Sequence, residues 1–506
     1  MQAFFIQAVM NVKTLVRGVF ALSLSVFAVA QDRPYKVEEI PMPKGVAPEI
    51  GGLGFTPSGR LVVLTRRSGV LTTKPEGKPE GFQWKVFSDQ SLHNANGLFV
   101  TGENEVLVSQ MPELTRLKDT DGDGVADVYE TVAPFSLSGA YHEVTAGPVP
   151  DGKGGWFVAL NTASHSGFTF EHTRGLFSEV SRRGRNFASV PYRGWVVRIS
   201  KEGVMEPYAK GFRSPNGIGV ESDGSLWVTD NQGDFRSTNP LYFVEKDKFY
   251  GHPSSLVWDP AFVAKDAKRD PLKEPMAALD AMRETAAIEF PYGFSRSPAE
   301  PMALPKDGRF GPFGGQLLVA DAAAPRIIRV MVERVGGVVQ GACTDFYSNN
   351  GLRNGSNRMA LSPEGNVLYV GQTMREWAGA MEGLQRIVYD GKPVFAVSAM
   401  RLVRGGFELE FTQPVDPIAG PVPNAFGMES YAYKYDSNYG GPEVGLAPVK
   451  ISEVEWNADR TRVRMKVPGL EPGKQYRFNP VGFSSRGMAL SHGPTTYTVK
   501  VLNAGQ

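Results

Sequence analysis

The densest chemistry in the sequence is the run Asp119-Thr-Asp121-Gly-Asp123-Gly-Val125-Ala-Asp127-Val-Tyr-Glu130. Counted from Asp119, carboxylates stand at positions 1, 3, 5, 9 and 12, glycine at 6, and the Val125 carbonyl at 7. Hard cations such as Ca²⁺ take shells of six to eight oxygens, and this spacing supplies them, closing on a bidentate glutamate. A solvated acidic turn is the alternative reading. No amphipathic helices flank the run, so it reads as a calcium loop on a β scaffold, with a structural ion favoured over a catalytic one. The six histidines are His93, His142, His165, His172, His252 and His492, and no two have the spacing of a zinc site. No nucleophile elbow, phosphate loop or dinucleotide glycine motif is present. The single cysteine, Cys343, excludes an intrachain disulfide, a cysteine zinc or iron–sulfur site and covalent c-type haem. It reads as a small buried hydrophobe.

The elements that must position these groups follow one repeated phrase. A Gly- or Asn-rich start leads into an apolar strand, a tight turn and a second strand ending in polar residues. Copies lie at 51–65, 96–110, 145–161, 215–231, 311–321 and 358–372. Short strands follow several of them, as at 195–199, 327–332 and 384–389. Such hairpins repeated radially predict a β-propeller. The expected fold class is all-β: a six-bladed β-propeller over 35–392, followed by an immunoglobulin-like β-sandwich over 393–506. In the second domain FELEF, 450–456, 463–467 and 497–501 alternate like half-buried strands. That domain is expected to dock or stabilise, because no catalytic cluster lies in it. Insertions at 164–192 and 260–286 lengthen the middle repeats, the second being expected to hold the one real helix. Glycine (57) and proline (37) fit a turn-rich chain, and 42% hydrophobic residues can bury a large core. A net charge of +1 gives no support for nucleic-acid binding.

Residues 1–30 read as a cleavable signal peptide: Lys13 and Arg17, an apolar run, then Ala28-Val29-Ala30. The run is too short to span a membrane. A periplasmic or secreted protein is expected, without a membrane span.

The polar groups His93, Asn94, Asn96, His142, Asn161, Arg213, Asn216, Asp230, Asn231 and Asp234 recur at matching points of several repeats, and are expected to face the propeller's central mouth. The phrases YHEVTAGPVPDGKGGWFVALN (141–161), GFRSPNGIGVESDGSLWVTDNQGD (211–234), FYGHP (249–253), FGGQLLVADAAAPRIIRV (313–330) and NRMALSPEGNVLYVG (357–371) carry a resemblance. They resemble blades of the soluble glucose/sorbosone dehydrogenases, six-bladed, calcium-containing periplasmic propellers that hold pyrroloquinoline quinone (PQQ). The chain is more similar still to a group of secreted bacterial dehydrogenases in which DTDGDGVAD recurs and a c-type haem domain often follows, absent here.

The resemblance implies a sugar- or alcohol-oxidising enzyme with Ca²⁺ and PQQ, a carbohydrate substrate and a separate electron acceptor such as a cytochrome c. It makes His142 the base, with Asn161 at the position of the carboxylate that orients it. It sets Arg213 beside the cofactor, followed by Ser214 where the family has asparagine. Cofactor contacts are expected from Arg213, Asn216, Asp230 and Arg358. The family's cofactor lysine falls at Ala323–Ala324, and its paired arginines at Gly355 and Asn357, with Arg326, Arg353 and Arg358 nearby. PNGI…LWVTD also resembles calcium-dependent six-bladed lactonases, in which Asn216, with Asp230 and Asn96, would ligate the metal. A non-enzymatic glycan- or protein-binding propeller is the third reading.

Overall fold

In the computed structural model the apolar phrases fold as six four-stranded antiparallel sheets. The residues it describes are 33–90, 92–164, 185–266, 268–373, 382–418 and 426–503. The segment expected to be a signal peptide, most of the 164–192 insertion, His165 and His172 lie outside them. Blades 1 to 4 run in order from inner to outer strand, beginning at Ile50–Phe55, Leu98–Val100, Thr145–Pro150 and Pro215–Val220. Blade 5 begins at Pro298–Ala303 and blade 6 at Ser356–Leu361. Each innermost strand packs against the next, and Ser356–Leu361 packs back on Ile50–Phe55, so the ring is closed. Closure also uses the start of the described chain: Tyr35–Ile40 is the outer strand of blade 6, in register from Tyr35↔Tyr389 to Ile40↔Leu384.

Second strands of the blades are covered on both faces by neighbouring blades. They therefore read as unbroken apolar runs: Leu61–Thr65, Trp156–Leu160, Leu226–Asp230 and Leu317–Asp321 are buried at every position. The glycines that open the repeats answer to the crowded axis. A Cβ on Gly97 would stand 1.5 Å from the Gly147 carbonyl oxygen of the next blade. The fifth repeat differs from the sequence expectation. Its inner strand is Pro298–Ala303, upstream of the copy at 311–321, which supplies only the second strand. The proline-rich sequence PAEPMA hid it, since proline is depleted in strands. The 260–286 insertion holds two short helices, Pro260–Val263, capped by Asp259, and Met276–Met282.

Two further four-stranded layers build the C-terminal sandwich. One orders Val397–Val403, Gly406–Phe411, Arg462–Lys466 and Glu453–Trp456; the other Thr495–Thr498, Lys474–Pro480, Phe426–Ala432 and Val444–Pro448. Here the strands do alternate, as RVRMK does between exposed and buried positions. The sandwich is not a separate bead. Blade 5's outer hairpin, Arg326–Val335 and Val338–Ser348, overshoots the propeller and pairs with Thr495–Thr498, making one eight-stranded sheet. Met331, Val335 and Ala342 of that hairpin enter the sandwich core with Phe407, Tyr476 and Tyr497.

The seam holds a buried histidine. His492 Nε2 accepts the Val397 N–H (2.8 Å), so Nδ1 carries the proton and donates to the Gly493 carbonyl (2.8 Å). Burial, reinforced by nearby Arg329, lowers its pKa from 6.5 to about 3. Between those values the unfolded chain binds more protons than the folded one. The stability is thus complete above 6.5 and is lost as pH falls toward 3. Urea unfolding of wild type and His492→Asn at pH about 7.5 and about 4.5 is expected to show a wild-type acid loss larger by about 2–3 kcal/mol. Equal losses would remove His492 as the cause.

Candidate active site at the propeller mouth

Strand direction separates the two groups of candidate residues. The loop at 119–127 joins the third and fourth strands of blade 2, and the Asp119 amide donates to the Asn104 carbonyl in the turn between the first two strands. His142 precedes the inner strand of blade 3, at the opposite end. The calcium-type loop and the mouth are therefore on opposite faces.

Within that loop, oxygens of Asp119, Asp121 and Asp127 lie within 4.8 Å of one another. Asp119 is buried and receives the Gly122 and Gly124 amides (2.7 and 2.9 Å). The Thr120 hydroxyl holds the Asp127 carboxylate below its usual range, so it stays ionised. This donor set suits a hard cation. Two expected carboxylate ligands, Asp123 and Glu130, lie outside this group. Glu130 pairs with Arg116 across the hairpin (2.6 Å), because its place in a regular strand sends it sideways to the neighbouring strand. Asp123 accepts the Val125 amide (2.8 Å), and Val125 itself is exposed.

At the mouth, the half-buried His142 is fixed by the main chain. Its Nδ1 lies 2.7 Å from the Thr162 carbonyl, which can only accept, so Nδ1 is protonated and Nε2 carries the basic lone pair. Nε2 receives a long hydrogen bond from the Ser214 hydroxyl (3.3 Å). Asn161, expected to orient His142, acts one step removed: its Nδ2 donates to Ser214 Oγ (3.3 Å). Its buried Oδ1 finds no partner among the described residues. Glu143 turns away to the Ser138 amide and hydroxyl (both 2.8 Å), and burial, only partly offset by Arg193, raises its pKa.

Arg213 lies flat on Gly233, where a Cβ would fall 1.9 Å from Nε, and pairs with Asp234 Oδ1 (2.8 Å). Asp234 also receives His252 Nε2 (3.2 Å) and the Asn186 amide (3.1 Å). Burial opposes ionisation there, but His252 and Arg213 together hold the carboxyl well below the usual range. Asp230, an expected cofactor contact, is instead a fully buried pin. It accepts the amides of Arg213, Ser214 and Asn231 (2.8, 2.7 and 2.9 Å) and Arg236 Nε (3.1 Å). Asp321 at the end of the matching strand of blade 5 holds Ser295, Arg296, Ala323 and Ala324 in the same way.

Arg358, also expected at the cofactor, is sunk in the axis. Its guanidinium donates to the carbonyls of Asn96, Asn216 and Asn357 (2.6, 3.0 and 2.8 Å). The side chains of those three asparagines, from blades 2, 4 and 6, link to one another through Asn357. Asn96 and Asn216 thus spend their amides on the channel, and Asp230 on the frame.

PQQ carries three carboxylates, and burying them calls for unpaired cations. Among the described residues Arg213 is neutralised by Asp234, Arg326 by Asp345 (2.6 Å), Arg353 by Glu39 (2.9 Å), and Arg358 is used by carbonyls. The orphan Asn161 Oδ1 is an acceptor, which asks for a donor and not an anion. These residues do not form a clamp for the quinone.

Sequence reasoning missed three contributors. Thr162 acts through its main chain, which no side-chain pattern reveals. Arg193, fully buried, donates to the carbonyls of Ser136, Glu143 and Met111 (2.8, 2.7 and 2.9 Å) and so holds the loop bearing His142. Tyr439 comes from the sandwich. Its ring lies 5.2 Å from the Arg213 guanidinium carbon and 4.1 Å from that of Arg185.

Fold and site together define an all-β propeller with a main-chain-locked histidine at its mouth. A family model described as a domain of unknown function (DUF7133) matches residues 82–291, the stretch holding the acidic loop, His142, Asn161 and Arg213. No curated protein matches the chain. Among solved structures it is similar to the holo PQQ domain of pyranose dehydrogenase from Coprinopsis cinerea, with 14% identity and TM-score 0.48, covering 70% of this chain and 95% of that one. It is also similar to the apo form of the soluble aldose sugar dehydrogenase of Escherichia coli, with 14% identity and TM-score 0.46, covering 70% and 99%. The PQQ-bound aldose sugar dehydrogenase of Streptomyces coelicolor gives 11% identity and TM-score 0.46, covering 70% and 98%. No residue role is taken from these likenesses. Among the described residues no helix is long and apolar enough to cross a membrane.

Proposed function

We propose that this chain is an exported enzyme that oxidises a hydroxyl of a sugar or sugar-derived alcohol at the propeller mouth, with His142 as the proton acceptor. The observation that carries it is the fixed tautomer: Nδ1–H on the Thr162 carbonyl leaves Nε2 as the basic atom, which meets the Ser214 hydroxyl at 3.3 Å. A substrate hydroxyl replacing Ser214 gives its proton to Nε2. Oxidation would also need a separate two-electron acceptor to take the carbon-bound hydrogen as hydride. A cytochrome would be its further outlet.

The test is a dye-coupled oxidation assay over an aldose and polyol panel, run with PQQ, with a soluble quinone and with neither. Oxidation that depends on His142 supports the reading. Sugar binding without turnover under every acceptor would make the mouth a binding site only.

Calcium at Asp119, Asp121 and Asp127 belongs to the same proposal, as a structural ion on the face away from the mouth. Saturating Ca²⁺ at about a hundred times its Kd is expected to add about 2.7 kcal/mol to unfolding. Asp119→Ala should abolish that gain without altering the His142 dependence. A wild type whose thermal midpoint ignores both Ca²⁺ and chelator would leave an acidic turn.

A further inference from the structure

We propose that the C-terminal sandwich supplies a wall of the mouth, and that Tyr439 with Arg185 selects a substrate whose hydroxylated ring carries a carboxylate. This rests on the sugar-oxidising reading above. The arm between Phe426–Ala432 and Val444–Pro448 leaves the sandwich and is zipped to the top loop of blade 4. Asp234 and Tyr439 form an antiparallel bridge, the Gly440 amide donates to the Gly233 carbonyl (2.9 Å), and the Gly441 amide to the Ser237 carbonyl (2.9 Å). The Tyr435 hydroxyl adds a bond to the Gly251 carbonyl (2.5 Å). So many main-chain ties fix where the arm's tip stands.

That tip belongs to the same site as the base, as a circuit of contacts shows. His142 bonds the Thr162 carbonyl, and Thr162 Oγ1 receives Asn186 Nδ2 (3.1 Å), next in sequence to Arg185. Arg185 covers the Tyr439 ring, Tyr439 faces Arg213, and Ser214 returns to His142. Despite its tethered backbone, the Tyr439 side chain is 48% exposed. With guanidiniums over the ring, a bound sugar can pack its C–H groups against the ring's exposed edge. Arg185 is exposed and has no acidic partner among the described residues, whereas Arg213 beneath the same ring is neutralised by Asp234. A guanidinium stacked on an aromatic face keeps its edge N–H groups for a bidentate carboxylate. An acidic sugar satisfies both groups at once; a neutral aldose satisfies only the ring.

The experiment is calorimetric titration of the full chain with glucuronate and with glucose, alongside His142-dependent turnover. Glucuronate is expected to bind about ten- to a hundredfold more tightly, the worth of a charge-assisted pair. Arg185→Ala should erase that preference and leave glucose binding intact. Tyr439→Ala should weaken both sugars, while Tyr439→Phe restores them, with thermal midpoints unchanged throughout. Equal binding of the two sugars, or indifference to Arg185→Ala and Tyr439→Ala, overturns the inference, and the proposed function survives it if turnover still needs His142. PQQ binding that depends on Arg185, with no uronate preference, also overturns it, by giving the carboxylate site to a cofactor. Absence of binding by either sugar overturns the inference, and the proposed function falls with it only if the whole aldose and polyol panel also gives no turnover.

Discussion

His142→Ala is expected to lower turnover about 10²–10⁴-fold, the usual worth of a positioned general base, while leaving the thermal midpoint where it was. The side chain is only half-buried and stands on a turn, so its loss costs the fold little. Ser214→Ala should do far less, because the substrate hydroxyl displaces the serine from Nε2 in any case. The pair separates catalysis from support: a base that matters falls with His142 and not with Ser214. If His142→Ala retains full turnover of an oxidised substrate, the base lies elsewhere and the mouth has been misassigned. If both variants fall equally and both lose stability, the histidine is a strut.

Asp230→Ala is expected to be the most destabilising single change near the site, at about 3–5 kcal/mol in urea unfolding. Removing one partner of a buried pair leaves the other charge uncompensated. Here Arg236, fully buried, would lose its carboxylate, and the amides of Arg213, Ser214 and Asn231 would lose their acceptor. Asp321 offers an internal control, since it performs the same pinning two blades on from His142, and Asp321→Ala should cost stability without touching substrate affinity. A cofactor or metal ligand would behave otherwise. Were Asp230 of that kind, its removal would spare the fold and weaken only binding. Asn at this position keeps one acceptor oxygen and should fall between wild type and alanine.

The difference between Asp230 and His142 shows what repetition in a sequence means. LWVTD and LLVAD end two matching strands in aspartate because each blade must tie down the loop before its own inner strand. Recurrence at matching points therefore marked frame residues as strongly as site residues. His142 stands on the turn before the inner strand of blade 3, as His93 does before that of blade 2.

Several features followed from the sequence alone because they depend on local period and turn chemistry. Unbroken apolar runs with glycine-bearing turns could only be doubly covered strands, so the radial repeat and the six blades were legible. The alternation in RVRMK and FELEF likewise announced a sheet with one wet face. Three oxygens of the acidic loop converge as their spacing required, since they sit within nine residues of one tight turn. Glu130 did not, because by then the chain had entered a strand and its side chain belonged to Arg116.

Only the tertiary structure decided which polar groups were already spent. Arg358 and Arg213 look alike in sequence to free cations; three carbonyls take one and Asp234 the other. The histidine's tautomer was set by a main-chain oxygen, which carries no residue identity. Tyr439 reached the mouth from more than two hundred residues downstream of Arg213, on an arm held by backbone hydrogen bonds. Long-range pairing of that kind depends on where two loops end in space, and local sequence does not encode it.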